Sequence, residues 1–199
     1  YMCLSLIEVD CDRLDLHGQS AVNTTVRGTP FTVSIDAGPQ FGVGTGVSAK
    51  ARVATILRAI DPESTPADFL RPGHNNPLRA RDGGVLVRIG QTEGSIDLCK
   101  LAGLTPAAVI IEIMRDDGEM ARVPDLVELC DAHMLKMSSV KLLIEHRLSR
   151  QSLVERMEPV SGQPIETAEG PFNLVAIRSV VAPLPHLALT GGDVGRLND

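Results

Sequence analysis

A chain of 199 residues has room for one core domain and an appendage, and it contains no run of about 18 apolar residues that would read as a membrane span. Nineteen basic against 25 acidic residues leave a formal net charge of −6, and with one Tyr, four Phe and no Trp there is little to grip phosphates or stack bases, so nucleic acid is not an expected partner. The four cysteines form no CxxC pair and the opening YMCLSLIEVD lacks the basic region and long apolar run of a signal peptide, so reduced thiols and a cytoplasmic location are expected.

Tyr1–Leu6 reads as a short buried strand, and a chain that opens inside a strand points to a portion upstream. The sequence to Pro30 is polar and turn-rich, with no firm helical pattern. Phe31–Asp36 alternates as FTVSID with Phe31, Val33 and Ile35 on one face, a half-buried strand. From Ala49 to Ile60 the apolar residues Ala49, Val53, Ile56, Leu57 and Ile60 recur at helical spacing behind an N-cap at Ser48, and Asp61-Pro62 ends the helix. Thr65-Pro66-Ala67-Asp68 begins a short helix, and Arg71-Pro72-Gly73-His74 reads as a turn.

Gly84–Arg88 and Ala107–Met114 read as strands around a helix from about Glu93 to Ala102 that stops at Gly103. A turn at Asp116-Asp117-Gly118, a helix over Pro124–His133, a short strand at Leu135–Ser138 and a helix over Val140–Ser149 follow. The alternation predicts an α/β layered domain over residues 1–150, a mixed sheet flanked by helices. Residues 151–169, polar and carrying Ser161-Gly162-Gln163-Pro164, read as a linker. Gly170–Val180 and His186–Leu189 read as a hairpin across Ala182–Pro185, with Gly191-Gly192-Asp193 beyond. About thirty residues are too few to bury their own core, so residues 170–199 are expected to begin a second domain.

Four places carry residues suited to chemistry. Gly42–Ser48, with Thr45 and Ser48, precedes a helix and is either an anion-binding loop or a capped turn. His74 beside Arg71 is either a general acid or base next to an anionic substrate, or a solvated turn histidine. Arg88 and Thr92 bracket a strand-to-helix junction where they could hold a phosphate, the alternative being a surface charge and an N-cap. Glu112 stands in the apolar run Val109–Ile113, where burial would raise its pKa for proton transfer unless a partner holds its charge.

The segments FTVSIDA, GVGTGVSAKAR, RPGHNNPLRARDGGVLVR, QTEGSIDLCKLAGLTPAAVIIEI and DDGEMARVPDL, in this order, resemble the 3,4-dihydroxy-2-butanone 4-phosphate synthase family over roughly Tyr1 to Arg147. LVERMEPVSG, GPFNLVAIRSVV and HLALTGGDVG resemble the entry into a GTP cyclohydrolase II domain, which follows the synthase in bifunctional members. The resemblance implies the family's fold and conversion of D-ribulose 5-phosphate, or a similar sugar phosphate, with Mg²⁺ or Mn²⁺, in a homodimer. It implies that His74 and Glu112 are the essential acid–base residues, that Cys3 falls at the active-site cysteine, and that Arg88 and Thr92 contact the phosphosugar. No zinc site is expected in this chain, because the cyclohydrolase's cysteines would lie beyond Asp199.

Two departures bear on activity. Gln91 stands where the family pattern has a metal-ligand histidine, and a side-chain carbonyl is the weaker ligand, although it can still hold a hard ion. The family's acidic loop lies upstream of Tyr1. Two further readings therefore stay open: a degenerate synthase domain serving as a scaffold or dimerisation module for a fused cyclohydrolase, and a paralogue acting on another sugar phosphate.

Overall fold

The computed structural model describes residues 1–179, 181–182 and 184–191, and the chain divides between Leu143 and Ile144 into two units. In the first, β1 (Cys3–Leu6), β2 (Ile35–Ala37), β3 (Phe69–Arg79) and β4 (Ala107–Ile110) form one mixed sheet in the order β2-β3-β1-β4. β1 runs parallel to β3 and antiparallel to β4, and β2 runs antiparallel to β3. The helices are α1 (Glu8–Arg13), α2 (Ala49–Ala59), α3 (Gln91–Leu101), α4 (Val123–His133) and α5 (Val140–Leu148). This is the α/β layered architecture expected from the alternation of elements.

The core gathers around β1. All four of its residues are buried, and Leu4 and Leu6 pack with Leu14, Leu16, Ile35 and Phe69. Leu6, Leu14 and Ile35 are fully removed from solvent, each contributing about 1.5–3 kcal/mol by burial. α1 was not legible in its sequence: six residues show too little periodicity, and only Cys11 is buried.

α2 begins where its cap predicts, with Ser48 Oγ accepting from Ala51 N–H at 3.2 Å. Its covered face differs from the apolar one. Ala51, Thr55 and Ala59, spaced four apart, are buried, while Val53 and Leu57 are exposed. The small residues admit close contact with β2, where Ala37 N–H donates to Thr55 Oγ1 at 2.9 Å. The short helix expected from Thr65-Pro66-Ala67-Asp68 is a single 3-10 turn over Pro66–Asp68, capped by Thr65 N–H donating to Asp68 Oδ2 at 2.9 Å.

Several strand boundaries differ from the sequence reading. Within Phe31–Asp36 only the last two residues enter β2, and Phe31 and Thr32 make isolated bridges to Leu78 and Gly18. Gly84–Arg88 is a 3-10 turn over Gly84–Leu86 rather than a strand, because Gly83 and Gly84 take φ of +87° and +64° and Asp97 Oδ2 captures Val85 N–H at 2.9 Å. α3 is therefore not flanked by two strands. β4 stops at Ile110, and Met114 pairs with Met120 across the Asp116-Asp117-Gly118 turn. Leu135–Ser138 is not a strand: Met134 turns left-handed at φ 52°, Leu135 N–H closes back on Cys130 O at 2.9 Å, and among the described residues no strand pairs with the segment.

In the second unit β5 (Val154–Arg156), β6 (Gln163–Thr167), β7 (Gly170–Ser179) and β8 (His186–Thr190) form an antiparallel sheet. β7 carries it, pairing with β5, β6 and β8. The stretch 151–169, expected as a linker, thus supplies two strands whose backbone groups are used by β7. The hairpin of β7 and β8 matches the sequence reading, while Val180, Pro183, Gly192 and Asp193 from that reading lie outside the described residues.

Candidate active site

A polar cluster that opens to a cleft forms where β2 meets β3. The register slips between them, Asp36 facing Leu70 while Ile35 faces Asn75, so Arg71–His74 are accommodated as an irregularity inside β3. This corrects the expectation of a separate turn. Pro72 has no N–H to give a ladder, and Gly73 N–H reaches Ser34 O at 3.1 Å, so the segment bends without leaving the sheet.

The slip carries His74 back over Asp36. His74 Nδ1 lies 2.6 Å from Asp36 Oδ2, while Asp36 Oδ1 accepts from His74 N–H at 3.0 Å and from Asn75 Nδ2 at 3.1 Å. The carboxylate is only 9% exposed and the imidazole 46%, so a buried anion backs a ring that opens to solvent. Arg52, from α2, donates to Val47 O at 3.0 Å and to His74 O at 2.6 Å, tying the glycine-rich turn to β3. Beside the ring lies a cleft of about 490 Å³ lined by Tyr1, Met2, Arg52, Gly73, His74 and Asn76. Tyr1 closes one side, its hydroxyl donating to Asn76 Oδ1 at 2.8 Å.

Cys3 pairs in register with Asn76 on one side and with Ile110 on the other, which places it between β3 and β4. Burial, and then the negative charge of Glu112, push its thiol above the ordinary value, so near neutral pH it is a protonated thiol and not a thiolate. Glu112 itself stands beyond the end of β4 and is exposed, together with Ile111 and Ile113. The expectation of a carboxylate inside a buried apolar strand is corrected: the hydrophobic run leaves the sheet at Ile110 and faces outward.

Arg88, Gln91 and Thr92 form a second group at the start of α3. Arg88 NH1 donates to Glu93 Oε2 at 2.6 Å, and Glu93 is fully buried, its Oε1 accepting Arg81 N–H at 3.1 Å. The N-cap is Gly90, which offers no side chain. Thr92 sits inside the first turn, buried, and Gln91 is exposed. Thr45 is exposed on its turn, and Ser48 has committed its hydroxyl to capping α2. Among the described residues no hydrogen bond or ion pair joins the Arg88 group to His74.

Asp36, Arg52 and Asn75 were missed in the sequence. In the sequence Asp36 is only a polar residue at the end of the alternating run FTVSID. The available signal was an acidic residue closing a strand that had to lie near the His74 segment.

Residues 1–146 match the family model for 3,4-dihydroxy-2-butanone 4-phosphate synthase. The chain is 50% identical over 192 residues to riboflavin biosynthesis protein RibBA of Aquifex aeolicus, an overlap that covers 96% of this chain and 47% of that protein. It resembles the crystal structure of RibBX, a two-domain 3,4-dihydroxy-2-butanone 4-phosphate synthase from A. baumannii, with a TM-score of 0.80 and 38% identity over 96% of this chain and 55% of that one. It also resembles a 3,4-dihydroxy-2-butanone 4-phosphate synthase in complex with two magnesium ions, with a TM-score of 0.68 and 34% identity over 75% and 74% of the two chains. The chain spans about half the length of the curated relatives it matches.

Proposed function

The chain belongs to the 3,4-dihydroxy-2-butanone 4-phosphate synthase family, and we propose that it converts D-ribulose 5-phosphate to 3,4-dihydroxy-2-butanone 4-phosphate and formate as a step of riboflavin biosynthesis. The observation that supports this most is His74, open to a cleft of about 490 Å³ and backed by the buried carboxylate of Asp36. An imidazole so placed can take a proton from a sugar carbon or hydroxyl and return it later in the sequence, which enolisation and dehydration both require. Cys3, as a protonated thiol, and Glu112, an exposed carboxylate whose charge reaches that thiol, are assigned as further proton carriers. Arg88, anchored by Glu93, and Thr92 are assigned to the phosphate.

A divalent ion, Mg²⁺ or Mn²⁺, supplies Lewis acidity at the diol oxygens when bound. Gln91 offers an exposed carbonyl oxygen of the hard type such ions accept. Among the described residues, however, no three His, Cys, Asp or Glu side chains come together to hold an ion, so the described donors do not make a complete site.

The protein is read as a cytoplasmic homodimer. No described helix is long and apolar enough to cross a membrane, and β4 is an edge strand whose continuation exposes Ile111 and Met114 at 66% and 61%. Residues 170–199 are read as the start of a cyclohydrolase II-like domain.

Gln91 favours a second reading, a synthase domain kept as a scaffold or dimerisation module for that following domain. The discriminating experiment measures formate from D-ribulose 5-phosphate and Mg²⁺ with the protein in its native flanking sequence, as the parent and as Gln91→His. Formate from the parent upholds the synthase; formate from the variant alone upholds the scaffold.

A further inference from the structure

We propose that Asp36 is the positioning residue of His74, fixing the ring's tautomer so that Nε2 presents a lone pair to the cleft. The proposal rests on the synthase reading for the identity of the substrate, and on geometry alone for the tautomer.

Asp36 receives three donors: His74 Nδ1 at 2.6 Å, His74 N–H at 3.0 Å and Asn75 Nδ2 at 3.1 Å. A carboxylate in such a place only accepts, so Nδ1 carries the hydrogen and Nε2 is left unprotonated in the neutral ring. Two bonds from the same residue, one from backbone and one from side chain, hold the ring plane as well as its distance. Among the described residues Nε2 has no hydrogen-bond partner, and His74 lines the cleft.

The carboxylate cannot move away from this task. Gly46, at φ +77°, packs its α-carbon so closely on Asp36 that a β-carbon there would collide with the carboxylate oxygens. On the other side, β2 is pinned to α2 by Ala37 N–H on Thr55 Oγ1 at 2.9 Å, and Thr55 Oγ1 is anchored in turn on Ala51 O at 3.1 Å. Asp36 is thus held by a sheet, a helix and a glycine turn. When Nε2 takes a proton from the substrate, the bonding pair stays on the substrate as an enediolate. The ring becomes a cation with N–H at both nitrogens, one of them already facing Asp36. The developing charge meets a fixed anion, with no reorganisation needed.

The test joins imidazole ¹⁵N NMR of the full chain with steady-state formate release from D-ribulose 5-phosphate and Mg²⁺. In the parent at a pH where the ring is neutral, His74 shows a protonated Nδ1 and an unprotonated Nε2. Asp36→Asn mixes the tautomers and lowers kcat about 10²-fold with KM little changed. Asp36→Glu recovers part of the loss. A parent ring protonated at Nε2 overturns the proposal, and so does an Asp36→Asn protein whose loss lies entirely in KM. Should Asp36→Asn not fold, the parent spectrum and Asp36→Glu decide the matter. A parent that releases no formate but shows the Nδ1–H tautomer defeats the synthase reading and leaves the role of Asp36 standing.

Discussion

Arg88 is held by Glu93: NH1 donates to Oε2 at 2.6 Å, and the carboxylate that receives it is fully buried while the guanidinium side chain remains 23% exposed. Glu93 also fixes the backbone at Arg81, so one side chain sets both ends of the segment that leads into α3. Glu93→Ala leaves the Arg81 N–H and a largely covered guanidinium without their acceptor. It is expected to cost about 3 kcal/mol, the low end for breaking a buried pair because Arg88 can turn to water. Urea unfolding reads the loss. If Arg88 serves the phosphate, KM for D-ribulose 5-phosphate rises in the same variant; an unchanged KM with the stability loss would separate Arg88 from substrate binding.

Two glycines with nearly the same backbone separate strain from function. Gly42 and Gly46 take φ of +74° and +77°, but a β-carbon at Gly42 meets nothing within 4 Å, whereas one at Gly46 strikes the Asp36 carboxylate. Each Gly→Ala change carries about 1–2 kcal/mol of left-handed strain. Gly46→Ala is expected to lose turnover as well, by displacing Asp36 from His74, while Gly42→Ala keeps it. Thermal unfolding beside formate release reads the pair, and equal activity in both variants contradicts the expectation.

How much of this was legible in the sequence depended on where the determining contacts lie. Caps and helix ends are local, so Ser48, Thr65-Pro66 and the stop at Gly103 could be read directly. Gly84–Arg88 looked like a strand because GVLVR is apolar and β-branched, but Asp97, twelve residues on, takes the amide that a ladder would need. The same holds for Glu112. Its apolar neighbours suggested burial, yet the sheet ends at Ile110 and the run faces out. Asp36 escaped notice for a related reason. Its importance comes from a register slip against a strand nearly forty residues away, and no local pattern encodes that.

The outward-facing run carries its own expectation. Ile111 is 66% exposed and Met114 61%, on the continuation of an edge strand. In the proposed homodimer this surface is covered by the second copy. Ile111→Lys places a charge in that contact and shifts sedimentation towards the monomer, with the helical circular dichroism unchanged. A variant that stays dimeric at micromolar concentration removes this face from the interface.

The turn before β3 carries one source of acid sensitivity. Asp68 lies below the ordinary carboxylate value because Thr65 N–H donates to it and Arg58 then pairs with it at 2.8 Å. A depressed folded-state value means that the unfolded chain binds the proton more readily. The stabilisation is therefore complete above the unfolded value of about 3.9 and is lost as pH falls through the folded one. Asp12, held down by Arg79, and Asp117, held down by Arg115, add the same sign. The melting temperature is expected to fall as the pH drops below about 4. Asp68→Asn should start lower at neutral pH, having lost its pairing with Arg58, and decline less steeply in acid, since one of the three contributing carboxylates is gone. Parallel acid limbs for the parent and the variant would place the acid sensitivity elsewhere.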